Sequence, residues 1–417
     1  MTNREIIERL RKRIEEILRQ YDPPGSRKPH ASTARSGAEA GGGYGGYPEV
    51  QTQTAGRDGF RVYTSVYAAG ANQWLQPTPI DAILLLAGSE ESRLAPDSLA
   101  LFLDIETTGL SGAGTVAFLV GLGRWTDKGF EIAQFFLEDR DSEPDMLAEV
   151  GAQIGSAQVL VTFNGKPFDV PVLQTRSIIN GMPRLASGLE SRFHLDLYSA
   201  VRKLGKHPLY GMSLKECVER FPGIRRLHDI PGRMIPALYF MYERDGDVSV
   251  LDQVFRHNRL DILDMVVLLR YLHCLFTQGY EWCDDSCALA GIGKFYAARG
   301  QMEPAARFLT AAVGNSHRSP PETRAAHSRL LATVLRRQGD WDKAASIWKT
   351  LIGSSQAGYE DYLWLARYYE VCLGDIRTSF RIILEYIEHC RESGSPVPEP
   401  VASRKRRLAR IISATHS

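Results

Sequence analysis

Apolar and polar positions change period repeatedly between residues 100 and 280. LFLDIETT (101–108) alternates, which predicts a strand with Leu101, Leu103 and Ile105 on one face and Asp104 and Glu106 on the other. TVAFLVGLGRW (115–125), the turn TDKG and FEIAQFFL (130–137) predict a hairpin. PDMLAEVGAQI (144–154) has helical spacing, QVLVTF (158–163) reads as a strand, and PFDVPVLQTRSII (167–179) enters a second helix. FHLDLYSAVRKL (193–204) predicts a strand running into a helix with Asp196 at its N-cap. A long helix follows over 254–276. A hairpin followed by crossover helices implies an α/β fold, a mixed sheet with helices on both faces.

The flanking pattern is different. Ile7, Leu10, Ile14, Ile17 and Tyr21 recur every three or four residues, so 1–21 reads as an amphipathic helix. Residues 22–56 are rich in Gly, Ser, Ala and Pro and read as a flexible linker. FRVYTSVY (60–67) alternates and PTPIDAILLLAG (77–88) looks helical; both are placed with the α/β domain, which spans 57–280. From 281 to 417 the chain reads as all-helical. Stretches 294–313, 333–352 and 368–387 align as helix, turn at Gly300, Gly339 or Gly374, and second helix. That spacing is near a tetratricopeptide array, which commonly offers a surface to a protein partner.

Composition narrows the classes. The chain has 417 residues, enough for two or three domains, and a net charge of +1. There is no global basic field, so any nucleic-acid contact must be local. The 6 cysteines show no CxxC pair. Cys283 and Cys287, with His273 and Cys274 near them, leave a metal site open beside the plainer reading of buried thiols. No apolar run reaches the ~18 residues of a membrane span and no secretory leader is seen, which fits a reduced cytoplasmic setting.

The chemistry starts from Asp104 and Glu106. Two like charges on one strand face, at ~4 Å and an effective dielectric near 20, repel by about 4 kcal/mol. A cation relieves this, and hard oxygen ligands on a rigid strand suit Mg²⁺ or Mn²⁺. An exposed strand end would do so too. FNGKPFD adds Asp169 in the first turn of a helix, and HNRLD puts His257 and Asp261 at i and i+4 on one helix face. Each has a plain alternative: a helix-dipole partner for Asp169, solvated positions for Asp261 and Asp264, a surface histidine for His257.

DIETTGL, FNGKPFD and HNRLD stand in the order of the three motifs of the DnaQ-like, or DEDD, 3′–5′ exonucleases, which have an RNase H-like fold. More narrowly, HLDLYSAVRK, GMSLKECVERF, HDIPGRMIPALYFMY and HNRLDILDM resemble the bacterial YprB-like predicted exonucleases. The resemblance covers roughly 60–280 well and the helical tail loosely. It implies a five-stranded mixed sheet and single-stranded DNA or RNA as substrate. Asp104, Glu106, Asp169 and Asp261 would hold two divalent metals, one generating the attacking hydroxide and one stabilising the leaving oxygen.

His257 would orient or deprotonate the water. Relatives carry Tyr with three residues before the Asp, or His with four; here His257 stands at the Tyr spacing. Thr107 and Leu110 match positions that touch the terminal nucleotide. Asn164 and Lys166, then Lys203, Lys206, Arg225 and Arg226, are candidate substrate or phosphate contacts. The rival classes are an idle nuclease fold acting as an adaptor through its helical repeats, and an RNase H-type endonuclease.

Overall fold

The computed structural model describes residues 52–414 together with 47 and 50, except 72, 89–93, 110, 111, 113, 205–211, 227 and 228. The helix expected over 1–21 and most of the linker fall outside the described residues. The chain divides into two compact units. One takes the described residues up to 201 and from 212 to 274, the other 202–204 and 275–414.

The first unit is built on a seven-stranded mixed sheet. Its strands are β1 (Thr52–Arg57), β2 (Phe60–Tyr67), β3 (Ala100–Thr107), β4 (Ala117–Thr126), β5 (Gly129–Leu137), β6 (Val159–Thr162) and β7 (Phe193–Asp196). They lie in the order β1-β2-β5-β4-β3-β6-β7. β1 to β5 pair antiparallel through β4 to β3, whereas β6 and β7 join parallel to β3.

The five strands expected become seven because a hairpin extends the antiparallel edge. All of β1 except Arg57 lies inside the stretch read as linker. All six of its residues are exposed, so no hydrophobic alternation marks it. Its strand character comes from pairing with β2, which itself pairs with β5.

The helices of this unit are α1 (Ile80–Ala87), α2 (Glu143–Ser156), α3 (Asp169–Ile179), α4 (Pro183–Ser191), α5 (Leu197–Val201), α6 (Leu214–Arg220), α7 (Ile235–Asp245) and α8 (Asp252–Gln278). They cover both sheet faces, as the pattern predicted. Leu101, Leu103 and Ile105 pack with Met146, Leu147, Val150 and Leu173 of α2 and α3. Phe118, Leu119 and Phe136 pack on the other face with Leu238 and Tyr239 of α7 and Val254 and Phe255 of α8. A register shift between Glu106 and Thr107, opposite β4, lets the neighbours Phe118 and Leu119 serve the same core.

α8 comes close to the sheet because β4 carries Gly121 and Gly123. A Cβ at 121 would lie 2.3 Å from Asn258 Oδ1 and 2.6 Å from Ile262 Cδ1; one at 123 would lie 2.5 Å from Ile262 Cγ2. Both glycines are needed for this close approach of helix to backbone.

The second unit is helical: α9 (Ser286–Ala298), α10 (Met302–Gly314), α11 (Pro321–Gln338), α12 (Trp341–Ile352), α13 (Tyr359–Val371), α14 (Ile376–Glu392) and α15 (Glu399–Ala414). Each packs against the next in turn. Gly300, Gly339 and Gly374 all adopt positive φ at the turns. Asp340 and Asp375 then cap the next helix through the backbone N–H of Lys343 and Thr378. No disulfide joins the six cysteines, and Cys217, Cys274 and Cys390 are buried. Among the described residues, no helix is long and apolar enough to cross a membrane.

Gly121→Ala is expected to cost about 1–3 kcal/mol of unfolding free energy, because the new methyl must displace Asn258 or Ile262. Urea unfolding checks this. A midpoint equal to that of the wild type would mean α8 can back away from the sheet without penalty.

Candidate active site

β3 presents Asp104 and Glu106 on the face opposite its core residues, as period two requires. Asp169 begins α3, and its Oδ1 accepts the backbone N–H of Ile105 at 3.2 Å. One hydrogen bond thus pins the third acid to the strand that carries the first two. α8 supplies Asn258, whose Nδ2 donates to both the carbonyl and Oδ2 of Asp104, at 3.1 and 2.8 Å. Gln134 on β5 holds Asn258 in turn, donating to its Oδ1 at 2.8 Å and to the Phe255 carbonyl at 2.7 Å.

His257 and Asp261 lie one turn apart on α8. His257 Nδ1 is 2.7 Å from Asp229 Oδ1, and Nε2 is 3.4 Å from Asp261 Oδ2. The guanidinium of Arg226 is buried among three carboxylates. It donates to Asp261 Oδ1, to Asp264 Oδ2 at 2.7 Å and to Asp229 Oδ2 at 3.1 Å. Tyr47 closes this network by donating its hydroxyl to Asp264 Oδ1.

Burial comes first in the electrostatics of the site, and neighbouring charge second. Burial, then the charges of Asp261, Glu106 and Asp169, holds the Asp104 carboxyl well above the ordinary range. Burial raises Glu106 as well, with Asp261 and Asp169 adding to it while His257 opposes. Burial also raises Asp169, despite two backbone N–H groups that favour its ionised form. For His257, burial works against the imidazolium, but Asp261, the Asp229 hydrogen bond and Glu106 outweigh it and lift the group to about 9. Asp229 is pushed up by burial, yet His257 and Arg226 bring it down to about 2.

Beside the acids lies an open cleft of about 470 Å³ that Asp104 and Asp261 help to line. Its other wall carries Phe163, Tyr198, Met212 and Leu214. The Phe163 and Tyr198 rings meet edge to face, 5.5 Å between centroids. Asn164 also lines the cleft, at φ 61°, the only positive φ at a non-glycine among the described residues. The Asp196 carboxylate fixes this loop by accepting the N–H groups of Asn164 at 2.8 Å, Lys166 at 3.2 Å and Tyr198 at 3.0 Å. A short polar side chain such as Asn tolerates the left-handed region best.

The structure therefore brings Asp104, Glu106, Asp169, His257 and Asp261 within electrostatic reach of one another, with Asn164 on the same cleft. Lys166 is exposed on the neighbouring loop. Thr107 turns inward and donates to the Gly109 carbonyl at 2.7 Å. Leu110 and Lys206 fall outside the described residues. Arg226 is not a free phosphate contact, since its side chain is 2% exposed and its donors are taken by Asp229, Asp261 and Asp264. Arg225 pairs with Glu219, and Lys203 lies over the Phe295 ring in the second unit.

Asn258, Gln134, Asp229 and Tyr47 escaped the sequence reading. Asn258 stands inside HNRLD and Asp229 inside HDIPG, but only contact with a known site residue distinguishes them from ordinary polar positions. Buried carboxylates with raised proton affinity and no lysine partner have the donor chemistry of a hard divalent cation site. Among the described residues, no three His, Cys, Asp or Glu side chains already converge on one point. Both oxygens of Asp261 are engaged, one by Arg226 and one facing His257.

Comparison with known proteins bears on the same segment. Residues 101–273 match the family model of the RNase H superfamily. This unit has an RNase H-like fold. The chain is 29% identical over 277 residues to the uncharacterized protein YprB of Bacillus subtilis (strain 168), spanning 64% of this chain and 64% of that protein. Among solved structures, a family B DNA polymerase from Pyrobaculum calidifontis is matched at 19% identity and TM-score 0.35, over 60% of this chain and 30% of that one. The chain thus spans less than two thirds of each relative's length. The RNase H-like unit is the part the superfamily match covers, with β1 and β2 lying outside the matched residues.

The pKa directions set the stability of the metal-free protein. Raised carboxyls and a raised His257 each contribute stability below their ordinary values, and lose it as pH climbs through the raised ones. The melting temperature in chelator is therefore expected to fall from the ordinary carboxylate range up to about pH 9, the value reached by His257. Asp229 acts only at the acid end, losing its contribution below about 2. Asp104→Asn should flatten the alkaline fall. Thermal melts across pH decide it: a flat profile in the wild type would mean that neither burial nor neighbouring charge raises these groups.

Proposed function

We propose that the RNase H-like unit is a divalent-metal-dependent nuclease that shortens single-stranded DNA or RNA from the 3′ end. The observation that carries this reading is the convergence of Asp104 and Glu106 on one face of β3 with Asp169, tied to β3 by the Ile105 N–H, and Asp261 of α8, which lines the same cleft as Asp104. Unbalanced carboxylate charge of this kind fits two dications. Asp104, Glu106, Asp169 and Asp261 would hold two Mg²⁺ or Mn²⁺ ions, which when bound supply an activated water and stabilise the leaving oxygen.

The remaining roles belong to side chains of this chain. Asn258 orients Asp104, and the Ile105 N–H orients Asp169. Asp229 holds His257 by Nδ1, so that Nε2 faces Asp261 and the reacting water. His257 orients that water, and accepts its proton once the surrounding acid charge is balanced. Phe163 and Tyr198 offer apolar faces to the terminal base and Asn164 lines the same cleft, with the exposed Lys166 two residues on to meet its phosphate. Thr107 donates to the Gly109 carbonyl, and Leu110 remains the expected wedge against that base.

One observation favours the idle-fold reading: Arg226 already neutralises Asp261. Incubation of 5′-labelled single strands with Mn²⁺ or Mg²⁺ separates the two. The nuclease reading expects a ladder receding from the 3′ end, slower with a 3′-phosphate and absent in Asp104→Asn that remains folded. A closed circular single strand should survive. Cleavage of the circle at a comparable rate points instead to an endonuclease, and no cleavage with either ion leaves the idle fold.

A further inference from the structure

The second unit gathers positive charge that its own acids do not balance. α11, α13 and α15 are alternate helices of the stack, and each contributes arginine to a common cluster. The Arg336 guanidinium lies 4.0 Å from the centre of the Trp364 ring, and that of Arg367 lies 5.7 Å from it. Trp364 stacks in turn on Trp348, with centroids 6.1 Å apart. Arg404 and Arg407, one turn apart on α15, share a single carboxylate, Glu370 of α13.

Among the described residues, no carboxylate lies within ion-pair distance of Arg336, Arg337 or Arg367. Arg336 Nε is buried without a hydrogen-bond partner. Burial, then Arg337 and Arg367, holds the Arg336 guanidinium below its ordinary value. Burial lowers Arg404 too; Glu370 opposes, and Arg407 and Arg367 add to the lowering. The guanidiniums of three helices therefore repel one another across one surface. Arg367 and Arg407 are exposed there and reach solvent.

A cluster of like charge held on stacked indoles costs stability unless an anion completes it. Planar guanidinium forks suit phosphate oxygens, and their flat faces accept a stacked base. We propose that the α11, α13 and α15 face binds single-stranded nucleic acid, with Arg336, Arg367, Arg404 and Arg407 contacting phosphates and the Arg336–Trp364 stack supporting a base. The choice of nucleic acid over an acidic protein rests on the nuclease reading of the first unit; the anion site itself does not.

The test uses the full chain in chelator, so that nothing is cut. Binding of a fluorescent single-stranded oligonucleotide is followed by anisotropy across salt concentrations. Arg367→Gln/Arg407→Gln is expected to weaken binding about tenfold and to make the salt dependence shallower by about 0.7 per lost phosphate contact. Arg367→Gln alone, at an exposed position, should give one step of that change. Arg367→Lys should keep most of the slope.

Hydrolysis of a dinucleotide with Mn²⁺, which engages only the first unit, should be unaffected by the double substitution. This separates the two readings. A wild type that hydrolyses nothing defeats the nuclease, yet binding can still be lost in the double variant. Unchanged affinity and unchanged salt slope in the double variant overturn the proposal. So does retained oligonucleotide binding beside loss of poly-glutamate binding, which assigns the face to an acidic protein.

Discussion

Four carboxylates that repel one another govern the first unit. Asp104 and Glu106 share one face of β3, Asp169 is pinned to it by the Ile105 N–H, and Asp261 approaches from α8. Holding them together requires a scaffold stiff enough to resist the repulsion. Gln134 and Asn258 provide it, linking β5, α8 and β3, and they fit only because Gly121 leaves room beneath them. Arg226 and a protonated His257 balance as many charges as Asp229 and Asp264 add. Asp261 is paired with Arg226, whereas Asp104, Glu106 and Asp169 have no ion-pair partner among the described residues.

Part of this was legible in the sequence. Strand periodicity put Asp104 and Glu106 on one face, and helical periodicity put His257 and Asp261 on another. The ordered motifs added Asp169 and pointed to the RNase H-like fold. Partners far apart in sequence were not legible. Gln134 and Asn258 are separated by 124 residues, and nothing local marks either as half of a pair. β1 was missed because all its side chains face solvent, so its only signal is backbone pairing. Arg226 was read as a candidate phosphate contact; the three carboxylates that surround it come from distant or unmarked positions and reverse that expectation.

The helical unit shows the opposite sign of the same problem. Its arginines crowd where the first unit crowds acids, and here too the fold tolerates charge that it does not cancel. In this case the support is aromatic. Trp341, Trp348 and Trp364 form a packed cluster, and Arg336 lies over two of them. A cation over an indole face is partly stabilised without losing its affinity for an anion. Both units therefore hold like charges close together, one on carboxylates and one on guanidiniums.

Tyr47 has a practical bearing on how the protein can be divided. Its hydroxyl satisfies Asp264, a carboxylate with no exposed surface, and does so from well before the matched segment 101–273. A fragment cut to that segment, or to the start of the sheet, would leave a buried acceptor short of a donor, at a cost of about 1–3 kcal/mol. The slack would fall on Arg226, which shares Asp264, and through it on Asp261. The hydrogen-bonded unit of this site thus reaches beyond the segment that the superfamily model matches. Transplanting the acids into another scaffold would have to carry a tyrosine from outside them.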